Sequence, residues 1–245
     1  SYANDSQHIR DILAKARDNA IVKETPSSEY VQGLTCEDAA ALLNINDDDE
    51  LLLEELFTTA REIKHTIYGK RIVLFAPLYV SNWCSNGCTY CGFRADNTEL
   101  NRTILSREEI IADVQALQKQ GHKRVLMLMG DHPKYSFDEF LEALKLVSSI
   151  KTAPHGDIRR INVEIPSLTN EEFQRLKATD NIGTYTLFQE TYHRETYEKV
   201  HKYGKKADYD WRLETMDRAQ QNGIGDVGIG ALFGLYDYRF EVLGM

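Results

Sequence analysis

From Arg71 onward the sequence predicts an α/β fold, a parallel sheet with helices packed outside it, and three observations predict it. Strand-like apolar runs alternate with amphipathic helical stretches about five times. Capping boxes open the helices at Ser106-Arg-Glu-Glu109, Ser136-Phe-Asp-Glu139 and Thr169-Asn-Glu-Glu172. Polar and glycine-rich features collect just after the strands. A closed barrel and an open doubly wound sheet both satisfy this alternation, and in both the loops at the C-terminal strand ends carry the chemistry.

Residues 1–69 read as a helical extension and 70–245 as the α/β core. The extension begins with an amphipathic helix over about 4–19, with Ile9, Ile12 and Leu13 on one side. A turn-rich Thr25-Pro-Ser-Ser28 follows, and Thr35-Cys-Glu-Asp38 resembles a capping box for a brief helix through Leu43. Cys36, in that first turn, reads as an ordinary buried or partly exposed thiol. Asn46-Asp-Asp-Asp49 places negative charge at the start of a long helix ending at Tyr68, with Gly69 as its stop.

Within the core, Ile72-Val-Leu-Phe-Ala76 is predicted as the first strand and Arg124 to Met129 as the second. Ile158 to Ile165, Gly183 to Phe188 and Asp226 to Phe233 follow as the third, fourth and fifth. Between the last two lie a helical segment near Glu195 to His201 and an amphipathic helix over about 209–222, stopped by Gly223. The strand ends then bring together the loop after the first strand, Met129-Gly130-Asp131, Glu164, Gln189-Glu190 and Gly234-Leu-Tyr-Asp237.

Composition excludes several function classes. Of 245 residues, 42% are hydrophobic and 27% charged, ordinary values for a globular protein. A net charge of −9 argues against a nucleic-acid surface, which needs clustered Lys and Arg. No apolar stretch approaches the roughly 20 residues of a membrane span, and no secretory signal pattern is present. Four cysteines, three of them crowded, do not read as a disulfide framework, so a reducing, cytoplasmic setting is expected. The chain starts at Ser1, and its apolar pattern runs to Met245 without a stop signal, so further sequence is expected on both sides.

The chemistry concentrates in Tyr79-Val-Ser-Asn-Trp-Cys84-Ser-Asn-Gly-Cys88-Thr-Tyr90-Cys91-Gly-Phe-Arg94. Three thiolates spaced C-x3-C-x2-C are metal ligands or redox groups far more often than packing residues. Three sulfurs can hold three irons of a 4Fe–4S cluster and leave the fourth open to a ligand. A zinc site is the alternative; structural zinc wants four ligands, and the nearest other candidates in sequence are His65 and His122. By that reading the chain is a non-catalytic metal-binding module.

The triad, with Tyr90 before its last cysteine, resembles the signature of radical S-adenosylmethionine (SAM) enzymes. The resemblance implies a TIM-like barrel, incomplete here with about five strands, and a 4Fe–4S cluster on Cys84, Cys88 and Cys91. It also implies that SAM bound at the open iron is cleaved to a 5′-deoxyadenosyl radical. Gly130 and Asp131 match the segment that receives the cofactor's ammonium group. Gly230-Ala-Leu232-Phe-Gly234-Leu-Tyr-Asp237 resembles the stretch whose backbone packs on the adenine. Arg212 matches an arginine that pairs with the cofactor carboxylate, with a surface pair to Asp208 as the alternative. Glu164 and Glu190 match carboxylates that hold the ribose hydroxyls or a substrate amine, with ion pairs to a neighbouring Arg or Lys as the alternative. Tyr90 stacks on the adenine in this scheme, or is a core aromatic.

From about Gly69 to the end the resemblance narrows to the tyrosine lyase branch, carried by Leu74 to Asn82 and Phe188 to His201. Gly228 to Gly244 is most similar to the FeFe-hydrogenase maturase members, while Trp211-Arg-Leu-Glu-Thr215 leans to the 2-iminoacetate synthases. The branch implies cleavage of the Cα–Cβ bond of L-tyrosine to dehydroglycine and p-cresol. For the maturases it implies CO and cyanide made at a second iron–sulfur cluster, whose cysteines are expected beyond Met245. Implied partners are tyrosine, an electron donor of flavodoxin or ferredoxin type and other hydrogenase maturation proteins. His132, His193 and His201 are candidates for steering the phenol.

Overall fold

The computed structural model describes residues 5–21, 23–24 and 29–245. The turn-rich Thr25 to Ser28 lies outside them. The chain divides into two compact units, one ending at Val73 and the other starting at Leu74.

The first unit holds α1 (Ser6–Asn19), α2 (Cys36–Leu43) and α3 (Glu50–Tyr68). Each opens on a side-chain cap: Asp5 for α1, the Thr35/Asp38 capping box for α2 and Asp49 for α3. Gly69 closes α3 at φ 66°, a left-handed conformation in which a side chain is strained. Ile9 and Leu13 of α1 bury against Ile45 and Leu52, and the Arg10–Glu55 and Arg17–Glu62 pairs link α1 to α3. Cys36 is exposed.

The second unit is built on five parallel strands: β1 (Ala76–Ser81), β2 (Arg124–Met129), β3 (Arg160–Glu164), β4 (Ile182–Thr186) and β5 (Val227–Gly228). They pair in chain order, so each connection is a crossover, and the sheet stays open between β1 and β5. The crossover helices α4 (Arg107–Lys119), α5 (Phe137–Ser149) and α6 (Asn170–Ala178) all start on the capping boxes at Ser106, Ser136 and Thr169. Then come α7 (Arg194–Val200), α8 (Tyr209–Leu213), α9 (Thr215–Gln221) and α10 (Tyr238–Gly244). Val80, Val125, Met127, Val163 and Tyr185 of the sheet meet Phe140, Leu144, Phe173 and Leu176 of the helices in one core. Phe140 is fully buried. Phe140→Ala is expected to cost about 3–5 kcal/mol, read from urea unfolding; a cost under about 1 kcal/mol contradicts this packing.

Three expectations are corrected. The first strand is shifted: Ile72 to Phe75 are 50–82% exposed, and pairing starts at Ala76 against Val125. The apolar run continues through Val80, so composition alone does not place the register. Inward Ala76, Leu78 and Val80 alternate with outward Pro77 and Tyr79, and Pro77, which lacks an N–H, is tolerated on an edge strand. The fifth strand is two residues rather than eight. Its glycine-rich continuation still accepts Gln189 N–H at Gly230 O and donates Leu232 N–H to Glu190 O, but leaves the regular ladder. The predicted 209–222 helix is two helices, broken at Glu214. The Trp211 carbonyl there accepts from the Thr215 hydroxyl and the Arg218 guanidinium instead of continuing the helix ladder. The apolar run that reaches Met245, left without an assigned element above, forms helix α10, capped by Asp237.

Candidate active site

The loop after β1 is shaped by a guanidinium. Arg102 donates to the carbonyls of Asn82, Phe93 and Arg94 at 2.8, 2.9 and 2.7 Å, which gathers both ends of the cysteine segment around one charge. Asn82 adds a second clasp through Asn101 O and Thr103 N. From below, the end of β2 presses on the loop. Gly130 N–H donates to Ser81 O, and a Cβ at Gly130 would lie 2.1 Å from Trp83 O and 3.1 Å from Cys84 Cβ. Only glycine permits that approach. From the side, the stretch after α7 pairs with the loop: Cys88 bridges His201, and Gly87 exchanges hydrogen bonds with Lys202 and Tyr203.

Cys84, Cys88 and Cys91 thereby line one cavity of about 270 Å³ at the C-terminal end of the sheet. None forms a disulfide. The Cys84 sulfur accepts from Asn86 Nδ2 at 3.4 Å and the Cys91 sulfur from Phe93 N–H at 3.3 Å. Burial pushes the Cys88 thiol up to about 11, opposed by Lys206, so a metal taken up here must displace its proton. Among the described residues, no three His, Cys, Asp or Glu side chains converge where one metal ion could be held. Three thiolates are a donor set that would fit a cuboidal cluster binding one cysteine per iron with one iron left open, whereas a structural zinc site needs four ligands.

Tyr90, Gly130, Asp131, Glu164, Glu190 and Arg212 line the same cavity, whereas Leu232 does not and is 39% exposed. Tyr90 is fixed from behind. Its hydroxyl lies 2.8 Å from His201 Nε2, while His201 Nδ1 lies 3.0 Å from Tyr197 O. A carbonyl only accepts, so Nδ1 carries the proton and Nε2 accepts from Tyr90. Burial, then Lys206, brings His201 down to about 4, which keeps the ring neutral at pH 7. Of the three histidines singled out, His201 is committed to Tyr90. His193 stacks on Tyr236 and caps α7, and His132 packs on Trp83.

Arg212 is buried, and its Nε donates to Phe188 O at 2.8 Å. It is no surface pair to Asp208, whose carboxylate caps Trp211 N–H. Glu190, held at φ 73°, forms an ion pair with Lys206 at 2.6 Å and lies 3.6 Å from Arg212. The ion-pair alternative thus describes Glu190. The Glu164 carboxylate has no hydrogen bond or ion pair among the described residues, and burial, then the Glu190 charge, raises it above the usual range. Lys206, Asn86 and Trp211 also line the cavity, and sequence reasoning passed over them.

The sequence pattern of the Radical SAM superfamily matches residues 78–241. The 2-iminoacetate synthase of Escherichia coli (strain K12) is 35% identical over 205 residues, 83% of this chain and 52% of that protein. The crystal structure of HydG, a maturase of the [FeFe]-hydrogenase, superposes with a TM-score of 0.89 at 46% identity, over 98% of this chain and 49% of that one. The FeFe-hydrogenase maturase HydG from Carboxydothermus hydrogenoformans gives 0.80 at 43% identity, over 98% and 52%. The chain spans about half the length of these relatives.

Proposed function

The chain belongs to the radical SAM superfamily, and from that premise we propose that the protein cleaves the Cα–Cβ bond of L-tyrosine to dehydroglycine and p-cresol, en route to the CO and cyanide ligands of FeFe-hydrogenase. The observation that carries this reading is the 46% identity to a hydrogenase maturase across 98% of the chain. Cys84, Cys88 and Cys91 would hold a 4Fe–4S cluster, which together with SAM supplies a 5′-deoxyadenosyl radical.

The chain's own residues then bind, orient and shield. Asp131 and the carbonyl at Gly130 receive an ammonium group. Arg212, its Nε anchored on Phe188 O, offers a guanidinium to a carboxylate. With Glu190 already paired to Lys206, Glu164 is the carboxylate available to ribose hydroxyls or a substrate amine. Tyr90, its hydroxyl tied to His201, presents its ring face for an adenine. Leu232 contributes through its backbone, which donates to Glu190 O at 2.7 Å. Leu128, Ile165, Leu187 and Phe93 give the cavity apolar walls that keep water from a reactive intermediate. A reductant of flavodoxin or ferredoxin type and other hydrogenase maturation proteins are the partners this role calls for.

The intact enzyme to which this chain belongs, anaerobically reconstituted and given reductant, SAM and tyrosine, is expected to release p-cresol together with 5′-deoxyadenosine. Cleavage of SAM without p-cresol overturns the tyrosine reading. A second reading, 2-iminoacetate synthase supplying dehydroglycine for thiazole synthesis, is favoured by the 35% identity to the Escherichia coli enzyme. It predicts p-cresol with no CO trapped by deoxyhaemoglobin, whereas the maturase reading predicts both.

A further inference from the structure

Asn86 sits between the first two cysteines and is 3% exposed. Both ends of its amide are engaged. Nδ2 donates to Cys84 Sγ at 3.4 Å and to the Asp131 carboxylate at 3.2 Å, while Oδ1 accepts from Lys206 N–H at 2.9 Å. One side chain thus joins the cysteine loop, the end of β2 and the segment after α7. Space around it is closed by Gly204, at φ 90°, where a Cβ would lie 2.2 Å from Asn86 Oδ1.

The three thiols are not equivalent. Cys84 takes its donor from a side chain, Cys91 takes its donor from the backbone, and the Cys88 sulfur has no hydrogen bond among the described residues. An N–H aimed at a ligating sulfur withdraws charge from the metal and raises its reduction potential, and groups behind the ligands tune affinity as well. Here the same NH2 group also orients Asp131. The charge on the Cys84 ligand and the aim of the ammonium-binding carboxylate therefore depend on one planar amide.

We propose that Asn86 is a positioning residue that ties the cluster's reduction potential to SAM affinity, so that the two change together; this rests on the cluster and cofactor reading given above. Lys206 enters the same unit, since its backbone is held by Asn86 and its ammonium by Glu190.

The test uses anaerobically reconstituted Asn86→Asp, which keeps the shape and the acceptor for Lys206 N–H but removes the donor, and Asn86→Ser, which is neutral and too short to span Cys84 and Asp131. Potentiometric titration followed by electron paramagnetic resonance reads the midpoint, and the change of that signal on adding SAM reads its dissociation constant. At wild-type iron and sulfide content, both variants are expected to show a more negative midpoint and SAM binding weaker by roughly 10- to 100-fold. A midpoint or a dissociation constant that stays at the wild-type value in Asn86→Ser overturns the coupling, because an effect confined to Asn86→Asp is due to added charge. If Asn86→Asp fails to load, Asn86→Ser alone decides by the same two readouts, and failure of both to fold or load reduces Asn86 to a structural residue and also overturns it. Wild-type protein that takes up no iron and sulfide overturns the underlying reading, whereas a loaded wild type beside unmoved variants overturns this inference alone.

Discussion

Cys88→Ala is expected to remove the visible absorbance of the reconstituted protein and to abolish reductive cleavage of SAM. Cys88 is the most buried of the three thiols, 4% exposed, and its backbone is bridged to His201. Its side chain can be truncated without disturbing that backbone pairing. Removing one buried sulfur costs on the order of 1 kcal/mol in the folded, metal-free protein, so far-ultraviolet circular dichroism stays as in wild type. The loss falls on metal instead: two remaining thiolates cannot hold a cuboidal cluster that binds one cysteine per iron and leaves one iron open. The effect is all-or-none. Persistence of both the absorbance and the cleavage shows that the ligands have been wrongly assigned.

Gly130→Ala is expected to be nearly as damaging, for a different reason. The added methyl would sit 2.1 Å from the Trp83 carbonyl oxygen, closer than any real contact of that kind, and 3.1 Å from Cys84 Cβ. Backbone has to give, and the backbone in question carries Cys84 on one side and Asp131 on the other. Overpacking of this kind costs about 1–3 kcal/mol in stability. A displacement of the reacting groups by about 1 Å costs on the order of 100-fold in rate. Gly92→Ala, one residue past Cys91, has no atom within 4 Å of the new methyl and serves as the control. Cleavage of SAM at the wild-type rate in Gly130→Ala contradicts the account of how β2 supports the cysteine loop.

What was legible in the sequence is what short-range chemistry encodes. The capping boxes at Ser106, Ser136 and Thr169 all operate as written, because a cap is settled within four residues. The cysteine triad is equally local, and the strand-and-helix alternation placed Gly130, Asp131, Glu164 and Glu190 at one sheet end, where they line one cavity. Register was not legible. Residues 72–80 are apolar enough to start a strand at several points, and only pairing with β2 selects Ala76. Contacts across long stretches of chain were hidden too. Tyr90 finds His201 over a separation of 111 residues and Asn86 finds the Lys206 amide over 120, distances at which no periodicity or spacing carries a signal. The nearest thing to one was His201-Lys-Tyr-Gly-Lys-Lys206, polar and basic directly after a helix, with a glycine where the chain must pass close to another backbone. That Leu232 does not line the cavity was hidden for a related reason, since the fifth strand was expected to run past it and instead leaves the ladder at Gly228.

The central claim is that three thiolates of one loop hold a cluster with an open iron. Its most direct test is anaerobic metal and sulfide analysis of the reconstituted chain. The account predicts about four iron and about four acid-labile sulfide per triad, lost together in the Cys88→Ala protein. About one zinc per chain with no sulfide, the composition of a structural zinc site, contradicts it.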